Sequence, residues 1–162
     1  MIIGIVSDTH GDAGPLRTAL EMFRAGGASA VVHCGDIGSA CVAVLGQSGL
    51  DCYLVAGNMD RQIEAIAEQA RQCGVAFSSE VITVPLGDGR FLAATHGHTC
   101  SVVTDLIAQK KYPYVCHGHT HAWRDQRIGS VRVINPGALH RASVHTVALL
   151  DTDADLLTPL TV

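Results

Sequence analysis

The sequence predicts an α/β fold with two β-sheets in one domain spanning residues 1–162, and three observations predict it. In the first half, short apolar runs alternate with amphipathic stretches, the rhythm of successive β-α units. Past residue 80 turn signals separate one short strand pattern from the next, with little helix between them. No linker, internal repeat or charge run divides the chain, and 162 residues suffice for one well-buried core.

Each element has a local reason. Residues 2–6 (Ile2-Ile3-Gly4-Ile5-Val6) are apolar without alternation, as a strand covered on both faces requires. Pro15 suits a first helical position, and Leu16, Ala19, Leu20 and Phe23 recur at helical spacing until Gly26-Gly27 ends the pattern. Strands are expected near 29–34 and 51–56, within a β-α-β-α-β-α order. Over 60–72, Ile63, Ile66, Ala67 and Ala70 form one apolar face opposite Arg61, Glu64, Glu68 and Arg71, which reads as a helix. Val81–Leu86 and Arg90–Ala94 flank Gly87-Asp88-Gly89, a hairpin signal. A short helix is expected near 101–110, then strands at 113–116, 122–128, 131–134, 144–150 and 155–161. Turns are expected at Ile128-Gly129-Ser130 and Asn135-Pro136-Gly137. The order suggests a parallel-rich sheet followed by an antiparallel-rich one.

Composition narrows the function classes. The chain is 48% hydrophobic and 16% charged, which excludes a disordered or low-complexity protein. Eleven Lys and Arg against 15 Asp and Glu give a net charge of −4, without the basic footprint that long nucleic acids or anionic membranes demand. The N-terminus has neither a basic leader nor a small-residue cleavage site, and no apolar run approaches a membrane span. The six cysteines contain no C-x-x-C pair and several lie in apolar runs, so they read as buried reduced thiols of a cytoplasmic protein. Histidine is the anomaly. Of nine, five fall between residues 96 and 121 (His96, His98, His117, His119 and His121).

Placed against the expected strands, the polar residues form a pattern. Asp8 and His10 follow the first strand, Asp36 the second and Asn58 the third. His96 and His98 follow the strand ending at Ala94, and His119 and His121 follow the one ending at Cys116. In an open α/β sheet the carboxyl ends of strands meet at one crevice, where ligands bind. Two Asp, one Asn and four of these His suit Mn, Fe, Zn, Co or Ni, and not a Cys-based zinc or all-oxygen calcium site. Seven ligands exceed one tetrahedral ion but suit two ions sharing a carboxylate bridge. Two divalent cations against the charges of Asp8 and Asp36 leave a local positive excess, which attracts a phosphoryl group. A metal pair also lowers the pKa of bound water and so supplies a hydroxide nucleophile.

Five motifs carry a resemblance: Asp8-Thr9-His10, Gly35-Asp36, Gly57-Asn58, Thr95-His96-Gly97-His98 and Gly118-His119-Thr120-His121, with Ile134-Asn135-Pro136-Gly137 extending it. In this order they resemble the calcineurin-like metallophosphoesterases, and within them the small bacterial and archaeal phosphodiesterases. The resemblance implies a four-layer α/β sandwich, two mixed sheets flanked by helices, with a binuclear centre. One ion would be held by Asp8, His10 and His121 and the other by Asn58, His96 and His119, with Asp36 bridging. It implies Mn²⁺, with Ni²⁺, Fe, Co²⁺ or Zn²⁺ as substitutes, and hydrolysis of a small phosphate ester by a metal-bridging hydroxide.

Two positions depart from the family pattern. Met59 stands where many members place a His directly after Gly-Asn, so either the enzyme favours esters with good leaving groups or His98 supplies the missing proton donor. Ala138 stands where small relatives often carry Ser after Asn-Pro-Gly.

Other residues invite a functional reading but have a plainer one. His33 lies in an apolar run and reads as a core histidine, His117 as support for its neighbours, and His140 and His145 as surface residues. Arg61 and Arg141 are candidates for phosphate contact, because a guanidinium fork matches phosphate oxygens. Asp60 either orients a ligand or caps the helix that follows. Cys100 lies near the His96–His98 loop without a histidine free to activate it. The expected activity is phosphodiester hydrolysis. The rival readings are a retromer-subunit-like scaffold on the same fold, favoured only by a degraded ligand set, and a phosphomonoesterase. A homodimer is compatible with the sequence, which fixes no oligomeric state.

Overall fold

The computed structural model describes residues 1–162. In chain order the elements are β1 (Ile2–Val6), α1 (Ala13–Ala25), β2 (Ala30–His33), α2 (Ser39–Gly46), β3 (Asp51–Val55), α3 (Ile63–Gln72), β4 (Ala76–Ser78), β5 (Val81–Pro85), β6 (Phe91–Thr95), α4 (Cys100–Gln109), β7 (Tyr114–Cys116), β8 (Trp123–Ile128), β9 (Val131–Pro136), β10 (Thr146–Asp151) and β11 (Leu156–Thr161).

Two sheets form, with strand orders β11-β10-β1-β2-β3-β4 and β5-β6-β7-β9-β8. Three apolar clusters lie between the layers. The first joins α1, α2 and α3 to the outer face of the six-stranded sheet through Leu16, Leu20, Phe23, Leu45 and Ile66 against Val6, Val31 and Leu54. The second is the seam between the sheets, where Ile3, Ile5 and Val32 meet Val84, Leu92, Cys116 and Ile134. The third packs Leu106 of α4 on Ala93, Val115 and Val133 of the five-stranded sheet. The result is the expected four-layer sandwich, helix–sheet–sheet–helix. β1 and β2 contribute to both the outer and the inner cluster, which is why their sequences lack polar alternation.

Register is what positions the site. Val6 pairs with His33 and His33 with Leu54 in a parallel ladder, so the three loops that leave β1, β2 and β3 emerge side by side. In the other sheet Ala94 pairs with Cys116, and Cys116 with Ile134, again in parallel. The loops after β6 and β7 therefore emerge together at the seam.

The elements follow the sequence reading with specific differences. α1 begins two residues before Pro15, at Ala13, because Asp12 caps it by accepting the Gly14 N–H at 3.2 Å; proline is still tolerated in that first turn. α3 begins at Ile63 and not at residue 60. The edge strand β4 is three residues long, too short to show a pattern in the sequence. β9 runs through Pro136, and the turn starts at Gly137 with φ of 82°. The five-stranded sheet is evenly mixed rather than antiparallel-rich, with β5/β6 and β8/β9 antiparallel and β6/β7 and β7/β9 parallel. β10 and β11 return to the first sheet, where β10 pairs antiparallel with β1. An apolar run identifies a strand but not its neighbour.

Candidate metal centre

Five loops deliver the seven expected ligands to one place, and the backbone is bent to do so. Asp8, His10, Asp36, His119 and His121 all adopt positive φ between 48° and 66°, five of the eight non-glycine residues in the chain that do. Such conformations cost energy and persist where surrounding structure enforces them, typically at ligand sites. Here the enforcement is a set of backbone bonds between loops. The Asp8 N–H donates to the Gly35 carbonyl at 3.0 Å and His10 N–H to Asp36 O at 2.8 Å, while Gly118 N–H donates to His96 O at 2.9 Å. The two sheets are joined directly where His119 N–H donates to Asp8 Oδ2 at 3.1 Å.

Two glycines permit the close approach. A Cβ on Gly57 would run into the Asp36 carboxylate and backbone N, and one on Gly118 would collide with Ser7 Oγ and lie 2.6 Å from Asp8 Oδ2. Their neighbours Asn58 and His119 can reach the centre only because those positions carry no side chain.

The side chains converge on Asp36. Its Oδ2 lies 3.7 Å from His10 Nε2 and 3.3 Å from His96 Nε2, so one oxygen is reached from both sheets. His121 Nε2 lies 3.2 Å from Asp8 Oδ1, and His10 Nε2 lies 3.9 Å from that same oxygen. Asn58 Oδ1 is 3.0 Å from His96 Nε2, and the His119 ring lies 5.1 Å from the His96 ring. Two groups have donor atoms within 4.8 Å of one another: Asp8, His10 and His121, and Asp8, Asp36 and His96. Asp8 Oδ1 and His10 Nε2 are buried and have no hydrogen-bond partner. A buried carboxylate oxygen and imidazole nitrogen left unpaired side by side are costly unless something positive sits between them, so the donor set fits a divalent cation.

The electrostatics agree. Burial alone would raise the Asp36 pKa, but the His96 hydrogen bond, the Met59 N–H donated to Oδ1 at 2.8 Å and the nearby imidazoles hold it below the ordinary carboxylate value. For His96 burial is again outweighed, by Asp36, by the Cys34 carbonyl 2.8 Å from Nδ1 and by the charge of Asp8, and its pKa is raised. That carbonyl also fixes the ring so that Nε2 faces the centre. His10 is depressed, chiefly by burial and further by His140 and His121.

Around the centre is a cavity of about 420 Å³ lined by His10, Asp36, Asn58, Met59, His119, His121, His140 and Arg141. His140 is the residue that sequence reasoning missed. It reads as an isolated surface histidine, yet its ring lies 5.0 Å from that of His10. Arg141 beside it, at φ of 51°, joins the same wall, whereas Arg61 lies outside it, in a recess with Gly38, Ser39 and Gln62. His98 is exposed, its ring 5.5 Å from that of His96 and 6.3 Å from that of His119. Its pKa is lowered by slight burial and by those two imidazoles.

The supporting residues divide clearly. His33 is fully buried and bonded on both nitrogens, accepting Gly35 N–H at Nδ1 (3.2 Å) and meeting Thr9 Oγ1 at Nε2 (3.1 Å). It is the core histidine expected. Asp60 does not cap α3, whose cap position is Gln62; its carboxylate accepts the backbone N–H groups of Ile37, Gly38 and Gly57. Asn135 holds the histidine loop, donating to Gly118 O at 2.8 Å and Thr120 Oγ1 at 3.0 Å. Ala138 is fully buried, and His145 lies apart from the centre, near Thr161 and Val162. All six cysteines are free, and Cys34, Cys41, Cys52 and Cys116 are buried. No helix is long and apolar enough to cross a membrane.

Comparison with known proteins decides the family. Residues 1–155 match the calcineurin-like phosphoesterase superfamily domain. The chain belongs to that superfamily. Within it, a phosphodiesterase of Methanocaldococcus jannaschii is 33% identical over 158 residues, covering 94% of each chain. A solved archaeal phosphodiesterase superposes over 100% of both chains with a TM-score of 0.90 at 28% identity. Vps29 of Entamoeba histolytica, solved as a point variant, shares the fold with a TM-score of 0.68 over 100% of this chain and 99% of its own, at 17% identity. Hydrolysis of phosphoric esters is the superfamily's reaction, and the four-layer architecture is its fold.

Proposed function

We propose that the chain is a metal-dependent phosphodiesterase of one domain, acting on a small phosphate ester in the cytoplasm. The observation that carries this reading is Asp36 Oδ2, approached by His10 from one sheet and His96 from the other beside two unpaired buried donor atoms. Asp8, His10, Asp36 and His121 would hold one divalent ion, and Asp36, Asn58, His96 and His119 the second. Mn²⁺ is the first choice, with Ni²⁺, Fe, Co²⁺ or Zn²⁺ able to replace it. Such a pair, when bound, supplies positive charge for the phosphoryl oxygens and lowers the pKa of water.

The chain's own residues do the rest. Arg141 lines the cavity and can fork two oxygens of a phosphoryl group. Met59 also lines it but cannot move a proton, so the leaving oxygen needs another donor. His98 is that donor in this reading, because its exposed ring stands beside those of His96 and His119, at 5.5 and 6.3 Å. His140 stands against His10 on the cavity wall and is the other imidazole within range.

The ligand set is complete, which supports an enzyme over a retromer-subunit-like scaffold that needs no metal. The cavity gives no separate ground for a phosphomonoesterase. A homodimer belongs to this reading, and sedimentation equilibrium reads it directly. The central test is metal content by mass spectrometry together with hydrolysis of bis(4-nitrophenyl) phosphate after Mn²⁺ loading. Two ions per chain and turnover are expected. No bound divalent metal and no turnover with any of the five metals would end the proposal.

A further inference from the structure

A second cavity, of about 430 Å³, lies on the other side of the histidine loops, between α4 and the edge strand β8. Cys100, Val103, Thr104 and Ile107 of α4 form one wall and Arg124 and Ile128 of β8 the other, with Gly97, His117 and Thr120 completing it. Thr120 alternates in sequence with His119 and His121, which line the first cavity, so the loop after β7 serves both cavities. The walls are largely apolar, and the volume is that of a small-molecule site.

Two polar groups in the lining lack a suitable partner. His117 is 6% exposed, and its Nε2 is buried without any hydrogen bond. The tautomer follows from the other nitrogen. Nδ1 lies 3.1 Å from the Gly118 carbonyl, which can only accept, and the Asn135 amide nitrogen 3.3 Å away spends its two hydrogens on Gly118 O and Thr120 Oγ1, so Nδ1 carries the proton and Nε2 presents a lone pair. An unpaired acceptor in an apolar wall calls for an N–H or O–H donor from a ligand. Arg124, on the α4-facing side of β8 with Ile128, spends its hydrogen bonds on the neutral Gln126 amide oxygen at 2.7 and 3.2 Å. Its charge is left for an anionic or carbonyl oxygen.

We propose that this cavity is the subsite for the organic substituent of the phosphodiester, a flat apolar ring that carries an N–H or O–H donor for His117 and an electron-rich oxygen for Arg124. The assignment rests on the phosphodiesterase reading and adds where substrate selection occurs. The metal centre reads phosphate, and this cavity reads what is attached to it.

Cys100 gives a readout independent of turnover, because it is an exposed free thiol in the cavity lining. Its alkylation by iodoacetamide is followed by peptide mass spectrometry, with half-buried Cys73 as internal reference. The probe is 4-hydroxybenzoate, which has ring, donor and carboxylate; benzoate lacks the donor, and inorganic phosphate lacks the ring. Saturating 4-hydroxybenzoate should slow Cys100 alkylation about tenfold, since such sites bury most of a ligand. Benzoate should act more weakly and phosphate not at all. Val103→Trp, which fills the cavity from its half-buried wall, should abolish the protection. The same variant should raise KM for bis(4-nitrophenyl) phosphate about tenfold with kcat little changed, the mark of lost substrate binding. In the wild type, 4-hydroxybenzoate should compete with that diester.

An unprotected Cys100, protection by phosphate alone, or an unaltered KM in Val103→Trp would overturn the subsite. Inhibition that lowers kcat without raising KM would also overturn it, by marking a separate effector. An enzyme inactive with every metal would instead remove the phosphodiesterase reading, with Cys100 protection still reporting whether the cavity takes the ring.

Discussion

The buried carboxylate of Asp60 accepts the Gly38 N–H at 2.9 Å, and so ties the turn after β3 to the loop after β2. The same carboxylate accepts Gly57 N–H at 2.9 Å and Ile37 N–H at 3.2 Å. Asn58 and Asp36, on which the two bonded segments depend, come from different strands and must be held together before any ion arrives. Asp60→Ala frees both turns. Metal affinity should fall by about 10–100-fold, the usual effect of removing a group that orients ligands. Calorimetric titration of metal-stripped protein with Mn²⁺ checks this; unaltered affinity would show that the loops hold their positions without the carboxylate.

Asp36 Oδ2 is approached by His10 from one sheet and by His96 from the other, and as the proposed bridge its loss should not resemble the loss of a terminal ligand. Asp36→Ala is expected to retain fewer than two ions per chain and to lose nearly all turnover. His121→Ala, which removes a nitrogen 3.2 Å from Asp8 Oδ1, should leave one ion bound. Metal counts by mass spectrometry after gel filtration separate the two cases. Equal counts in both variants would argue against a bridge at Asp36.

Much of this architecture is legible in the sequence, and the reason is burial. Apolar runs such as Ile2–Val6 report strands enclosed on both faces, and glycines beside Asp36, Asn58 and His119 report backbone approach that no side chain permits. What is hidden depends on long-range pairing. Nothing local to Thr146–Asp151 says that it will lie beside β1, and three residues at Ala76–Ser78 carry no periodicity. His140 is hidden for the same reason. It reaches His10 only because β10 carries the preceding loop back across the first sheet, and no spacing between residues 10 and 140 encodes that return.

The proton donor can be found by leaving-group chemistry. If His98 protonates the departing oxygen, His98→Ala should cost about 10²–10⁴ in rate on esters of high leaving-group pKa and far less on nitrophenyl esters, which leave unaided. His140→Ala, tested on the same series, shows whether the second imidazole shares the task. Equal losses for His98→Ala across the series would remove it as the acid. A leaving-group dependence in His140→Ala alone would transfer the role there.

His33 predicts how stability responds to acid. Burial and the charges of His96 and His10 push its pKa down to about 3 from an ordinary 6.5, against the opposite pull of Asp36. The folded state therefore refuses a proton that the unfolded chain accepts. With the folded value the lower one, the contribution is complete above pH 6.5 and is lost progressively as the pH falls toward 3. The full loss is of the order of 5 kcal/mol, a large share of the stability of a typical domain. The neutral ring also sits in a chain of bonds from Gly35 N–H through His33 to Thr9 Oγ1, whose hydroxyl donates to Ile37 O at 2.8 Å. A second proton on the ring would displace the Gly35 N–H and press one loop away from the other. Urea unfolding of the metal-free protein between pH 7 and 4.5 should show a steeper decline than in His33→Gln, which keeps polar atoms there but does not titrate. Parallel curves for the two proteins would mean that the acid sensitivity arises elsewhere, in the carboxylates.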